Sequence, residues 1–199
     1  MPTWSGRTDL KVSMSKVYDL SAGEALSLTL LYVPCFPAGD SDITVNLNGP
    51  GASVDIAGLY LCPSDERLSI HVNVRHNSGG CTSKQVFRGI VGGTARAEFD
   101  GLIYVAKGSQ KTSASQENHS ILLTSTARAE SRPQLEIYAD DVECSHGATT
   151  GFLNPDELFY MRSRGIEEQD ARRLQMISFL APVLDRLPGE LREQAIASI

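Results

Sequence analysis

From Leu10 to Thr150 the chain is a succession of short runs in which apolar and polar residues trade places at every second position. Examples are ALSLTLLYV, DITVNLNG, RLSIHVNVRH and ARAEFDGLIYV, separated by clusters of Gly, Asn, Ser and Asp. That two-residue period is the signature of half-buried strands, and no helical periodicity of useful length interrupts it. Residues 1–153 are therefore predicted to be a β core. The stretch Ser109 to Ser120, SQKTSASQENHS, lacks bulky apolar residues and reads as a corner turn or the polar edge of a coil. The pattern changes at Asn154-Pro155-Asp156-Glu157, where a capping Asn, a Pro at the first helical position and two acids at the positive end of the helix dipole mark a helix start. After Gly165, Leu174, Ile177, Leu180, Ala181 and Leu184 recur at three- and four-residue steps and predict an amphipathic helix that Pro182 kinks or divides. Pro188-Gly189-Glu190 opens a further short helix to Ile199. Residues 154–199 thus form a C-terminal helical domain, whose apolar stripe either packs within the chain or docks a partner.

Three internal similarities argue for stacked units. Gly51 to Leu59 lines up with Thr94 to Leu102 at an offset of 43 residues, and Thr94-Ala95-Arg96-Ala97-Glu98 recurs letter for letter at Thr126 to Glu130. Ile103-Tyr104 recurs as Ile137-Tyr138. Offsets of 43, 32 and 34 share no strict period, which suits a solenoid of unequal coils, expected here at about 20 residues each. An antiparallel sandwich is the competing architecture.

The 199 residues carry a formal net charge of −6 and no basic stripe, which argues against nucleic acid as a partner. No apolar run approaches membrane-spanning length and no apolar leader opens the chain, so the expected location is the cytosol. Cys35, Cys62, Cys81 and Cys144 have no paired spacing and read as free thiols. No phosphate loop, dinucleotide fingerprint, zincin helix or nucleophile elbow occurs.

What chemistry remains lies between Leu135 and Gly165. Leu135, Ile137 and Ala139 share one strand face and Glu136, Tyr138 and Asp140 the other, with Asp140-Asp141 at a corner. Cys144 and His146 then fall on one face of the next strand, about 7 Å apart along the backbone, within reach of one shared ligand. Two donors are half of a closed tetrahedral set, which a second subunit could complete. His71 and His76 cannot share a face and read as surface or satisfied histidines.

Across Arg88 to Ile166, the combination of LEIYADDV, CSHGAT and LFYMRSRGI resembles the SufB/SufD family of iron–sulfur cluster assembly proteins, on the SufD side. The resemblance implies a right-handed parallel β-helix followed by a helical domain, and a scaffold subunit rather than an enzyme. It implies pairing with a SufB-like subunit through the late strands, and binding of a SufC-like ATPase through the C-terminal helices, at Phe159, Tyr160, Arg162 and Arg164. It places His146, with Cys144 beside it, at the interface where a transient iron or iron–sulfur cluster is held jointly with SufB, none being tightly bound to this chain alone. SufB-like sequences carry acids where this chain has Ser145 and Gly147, and a cysteine near the position of Asn118. Those departures favour SufD and imply that this chain does not itself accept sulfur on that strand. Family members usually have a long segment before the β-helix, so the chain is expected to be a piece of a longer protein or a short member. Self-pairing as a homodimer, or a β-solenoid enzyme, are the alternatives.

Overall fold

The computed structural model describes residues 7–9, 14–34 and 40–199, with Arg7–Asp9 and Met14 described by their backbone alone. Cys35 and the expected strand start at Lys11 to Ser13 lie outside the described residues. Among the described residues eleven strands are followed by three helices: β1 (Arg7–Asp9), β2 (Met14–Leu20), β3 (Ala25–Tyr32), β4 (Ser41–Leu47), β5 (Ser53–Cys62), β6 (Arg67–His76), β7 (Thr82–Val91), β8 (Arg96–Val105), β9 (Thr112–Leu122), β10 (Arg128–Ile137), β11 (Val142–Phe152), α1 (Pro155–Ser163), α2 (Glu168–Leu184) and α3 (Gly189–Ala197). Each strand pairs in parallel with the strand two before it, so odd strands build one sheet, β1-β3-β5-β7-β9-β11, and even strands the other, β10-β8-β6-β4-β2. The chain is a parallel β-solenoid of about five turns with C-terminal helices. The sandwich is excluded.

Coil length differs from the sequence expectation. From Met14 onward, in-register partners lie between 27 residues apart (Met14 and Ser41) and 32 (Arg96 and Arg128); only the first pairing, Arg7 with Leu28, is near 20, at 21. The TARAE repeat is one such coil, because Arg96, Ala97 and Glu98 stand opposite Arg128, Ala129 and Glu130. The 43-residue similarity relates β5 to β8 in opposite sheets, one and a half coils on. In both strands the common feature is a glycine facing inward after two apolar inward positions: Val54, Ile56 and Gly58, and Ala97, Phe99 and Gly101. These glycines make room for a large side chain. A Cβ at Gly58 would run into the Phe87 ring, at Gly89 into the Tyr60 ring, and at Gly101 into the Gln116 amide.

The interior changes character along the axis. Early coils are filled by Ile43, Val45, Leu47, Leu68, Ile70, Val72 and Val74, and Phe87 meets Phe99 across the lumen at 4.6 Å between centroids. Later, Thr112, Gln116, Asn118 and Ser120 are buried on the inner face of β9. The reading of Ser109 to Ser120 as a corner holds for Ser109 to Lys111, which turn, and is overturned from Thr112 onward. Thr112 to Leu122 is a full strand, each of its inward polar side chains making at least one hydrogen bond: the Thr112 hydroxyl donates to the Ser109 carbonyl (2.9 Å), Gln116 donates to Gln85 (2.8 Å), and the Tyr60 hydroxyl reaches Asn118 (3.1 Å) and Ser120 (2.7 Å).

The Asn154 side chain accepts from the backbone N–H groups of Asp156 and Glu157, capping α1 as expected. α2 runs on past Pro182 to Leu184, since the proline sits in the last turn, where little helix remains to break. Its buried face is Ala171, Gln175, Met176, Leu180, Val183 and Leu184, whereas Leu174, expected on the stripe, is exposed. That face packs on Leu31, Ala57, Leu59, Val86 and Ile90, on the outside of the six-stranded sheet, and Arg186 ties it down through Asp55 at 2.7 Å. The helical stripe is therefore mainly core. Among the described residues no helix is long and apolar enough to cross a membrane.

His76 is fully buried at the end of β6, with Nε2 2.9 Å from the Ser83 hydroxyl. Burial holds its imidazole down at about 4. Above the ordinary histidine range both folded and unfolded chains are neutral there. As pH falls below about 6.5, the unfolded chain takes up a proton that the folded chain refuses until about pH 4, so stability is lost across that window, by about 3 kcal/mol in total. Urea unfolding should show a larger drop in midpoint between about pH 7 and pH 4.5 for the native chain than for His76→Asn, which has no such proton to bind. Equal drops would remove His76 from the pH response.

Candidate functional site at the open coil

The last coil differs from the others in having no successor. β11 is the terminal strand of one sheet and β10 of the other. On the strands before β10 the inward side chains are covered by the next coil; on β10 and β11 they are not. Register places Val142, Cys144, His146 and Ala148 beside Thr112, Ala114, Gln116 and Asn118, the buried inner positions of β9. The Cys-x-His pair therefore points to the lumen side at the mouth of the tube.

The two side chains sit differently. Cys144 is half-buried, packed with Leu135, Ala139 and Val142 against Ile103, Val105 and Ala114. Burial pushes its thiol above the ordinary cysteine range, so it is protonated at neutral pH. His146, two residues further along, is exposed. The start of β11 is pinned at the Asp140-Asp141 corner. There the Asp141 N–H donates to Gln110 Oε1 (2.8 Å), the Lys111 N–H donates to the Asp141 carbonyl (2.6 Å), and the Lys111 ammonium pairs with the Asp141 carboxylate. The corner needs Lys111 at a φ of 60°, a left-handed conformation uncommon outside glycine. At the far end Leu153 is buried and Asn154 caps α1. A strand fixed at both ends holds its register, and a slip of one residue would turn Cys144 and His146 to the outside.

A soft thiol and an imidazole are donors suited to iron or a cluster, but they are two. Among the described residues no group of three or more His, Cys, Asp or Glu could hold a metal ion. The other histidines do not gather here: His71 is exposed on the outer face of β6, His76 is in the core, and His119 lies on the outer face of β9 against Thr149 and Glu117. Asn118 is buried, accepting from the Tyr60 hydroxyl and donating to Ser131 at 3.0 Å, so the strand before β11 offers an amide and no thiol.

The helical residues singled out from the sequence form a second, separate surface. α1 buries none of its residues, and Phe159 and Tyr160 are 74% and 58% exposed. Arg164 stands over the Tyr160 ring at 5.1 Å and Arg162 pairs with Glu168 at 3.3 Å. Tyr160 also borders a cleft of about 740 Å³ that runs from Phe152 and Leu153 to Leu174 and Phe179 of α2. Phe152, Tyr160 and Leu174 leave an uncovered apolar rim there. The sequence reading missed Gln116, the buried neighbour of His146 in register; its 31-residue offset from Gln85 was the available signal.

The sequence model of a family described as "SUF system FeS cluster assembly, SufBD core domain" matches residues 40–179. The "Iron-sulfur cluster assembly protein SufD" of Escherichia coli (strain K12) is 40% identical over 157 residues, 78% of this chain and 37% of that protein. The protein of the same description from Bacillus subtilis (strain 168) is 30% identical over 159 residues, 80% of this chain and 36% of that protein. The chain thus spans little more than a third of the length of these relatives.

Solvent access at the mouth of the tube separates the thiols. Cys62 and Cys81 are fully buried, and Cys62 is pushed up to about 12. Iodoacetamide should therefore label Cys144 well before Cys62 or Cys81 under native conditions, with a rate that rises with pH as its thiolate forms. Peptide mapping by mass spectrometry reads this directly, and simultaneous labelling of the three would contradict the burial described.

Proposed function

Because the chain belongs to the SufB/SufD family of iron–sulfur cluster assembly proteins, on the SufD side, we propose that it is a non-catalytic scaffold subunit that completes an assembly site jointly with a SufB-like partner. The observation that carries this is the placement of Cys144 and His146 side by side on the terminal strand of the last coil, which no further coil covers. The partner's last coil abuts β10 and β11 and supplies the donors that this chain lacks. His146 gives an imidazole to iron of the nascent cluster. Cys144 gives a thiolate once the seam closes over it and a proton leaves. The cluster is cargo, held during assembly and passed on.

The uncovered backbone at the edges of β10 and β11 makes such abutment favourable, since each unpaired N–H and C=O gains a partner. The same edges let two copies of this chain pair when no SufB-like subunit is present. Energy for rearranging the seam comes from a SufC-like ATPase that binds through Phe159, Tyr160, Arg162 and Arg164 on α1. Because α2 is packed on β5 and β7, force applied at the helices reaches the sheet that ends in β11.

Cluster reconstitution with ferrous iron and sulfide, on the complex with the SufB-like partner, tests the site. His146→Ala should lower cluster yield on the order of tenfold while the complex elutes intact; undiminished yield in an intact complex removes His146 from the site. Docking of the ATPase is checked separately. The double substitution Phe159→Ala and Tyr160→Ala should weaken ATPase binding by about tenfold or more, with thermal unfolding unchanged, because both side chains are exposed. Unaltered binding would place the ATPase elsewhere.

A further inference from the structure

The inner face of the odd-numbered sheet carries a polar column that leads to the candidate site. Gln85 on β7, Gln116 on β9 and His146 on β11 are in register on three successive coils. Gln85 and Gln116 are both fully buried, and Gln116 Nε2 donates to Gln85 Oε1 at 2.8 Å. Stacked amides on parallel strands bond along the stack, each N–H toward one neighbour and each carbonyl toward the other, at rungs about 4.8 Å apart. With its N–H toward Gln85, the Gln116 amide has its carbonyl toward the next rung. The next rung is His146.

Gln116 Oε1 is buried and has no hydrogen-bond partner. Leaving such an acceptor unmet is costly, because burial removes its water and supplies nothing in exchange. The amide is held in place, since it fills the space over Gly101 that a Cβ would occupy. On the adjacent coil, the His146 imidazole makes no hydrogen bond among the described residues and stands exposed. An unmet buried acceptor and an unpaired donor thus occupy neighbouring rungs of one column.

We infer that Gln116 is a positioning residue for His146: its Oε1 accepts from one ring N–H, which fixes the tautomer and turns the lone pair of the other ring nitrogen outward, toward the seam. This rests on the reading of His146 as the seam ligand only for its purpose; the contact itself belongs to this chain alone. A metal-binding imidazole needs its second nitrogen anchored in this way, because the hydrogen bond made by one nitrogen decides which lone pair is presented by the other. Gln116 does not touch the cluster.

The contact is read without iron or partner, on the 199-residue chain labelled with ¹⁵N in its histidines, at about pH 8. In the native chain His146 should show an observable ring N–H proton, slow to exchange with water, and two ring nitrogens far apart in chemical shift. Gln116→Met should abolish that proton signal and draw the two nitrogens toward their exchange-averaged positions. Gln85→Met leaves the acceptor beside His146 in place and should keep the native pattern. A native chain without the protected N–H overturns the inference, whatever happens to the variants. So does a Gln116→Met chain with the native signature, or loss of the signature in both variants alike. Failure of His146→Ala to lower cluster yield would instead count against the seam site and leave the ring signature untouched.

Discussion

Parallel in-register stacking is the constraint on which the rest of this structure depends. A strand in the middle of either sheet has its backbone bonded on both edges and its inward side chain pressed between copies of the same position one coil before and one coil after. Within that arrangement a glycine is as much a packing element as an aromatic ring: Gly58 exists for Phe87 and Gly89 for Tyr60, each pair being register partners on adjacent coils. Covering of each coil by the next is what dries the interior. Where the series stops, both backbone and side chains lose that cover at once, and β10 and β11 present edges and lumen together.

The helices act on the other coordinate of the tube. They coat the outside of the six-stranded sheet through Met176, Leu180, Val183 and Leu184, and explain why β3, β5 and β7 carry apolar residues on both faces. Among the described residues no helix coats the five-stranded sheet, and its strands keep charged and polar residues outward, as in Arg96, Glu98 and Asp100 on β8. The two ends of β11 are fixed by different means, a charged corner at Asp141 and a helix cap at Asn154, so the strand that bears Cys144 and His146 is firmly placed although only its β9 edge is paired.

Much of this was legible in the sequence. Alternation located most strands, the Asn154-Pro155 signature located α1, and a period of two put Cys144 and His146 on one face. Coil length was not legible, because the repeat is recorded in which face a residue occupies more than in its identity; only TARAE repeats in letters, and the Ile-Tyr pair is slipped by two from register, leaving Tyr104 and Tyr138 as ring neighbours at 5.7 Å. Of β9 only the end from His119 to Leu122, in the run HSILLT, was legible, because hydrophobic alternation is blind to a lumen filled by Thr112, Gln116, Asn118 and Ser120, whose burial is made tolerable by hydrogen bonds from other coils. The openness of the last coil is a property of what does not follow β11, and no local pattern encodes it.

Unequal perimeters carry a lesson for how such a chain can change over time. From Met14 onward the circuits range from 27 to 32 residues, yet Ala52 and Cys81, Leu47 and His76, and Ala97 and Ala129 still face inward together, so the surplus residues have been absorbed where the chain rounds a bend. Drift in length is confined to the bends, while the straight segments behave as fixed-length words: a single added letter there would invert inside and outside for the remainder of that strand.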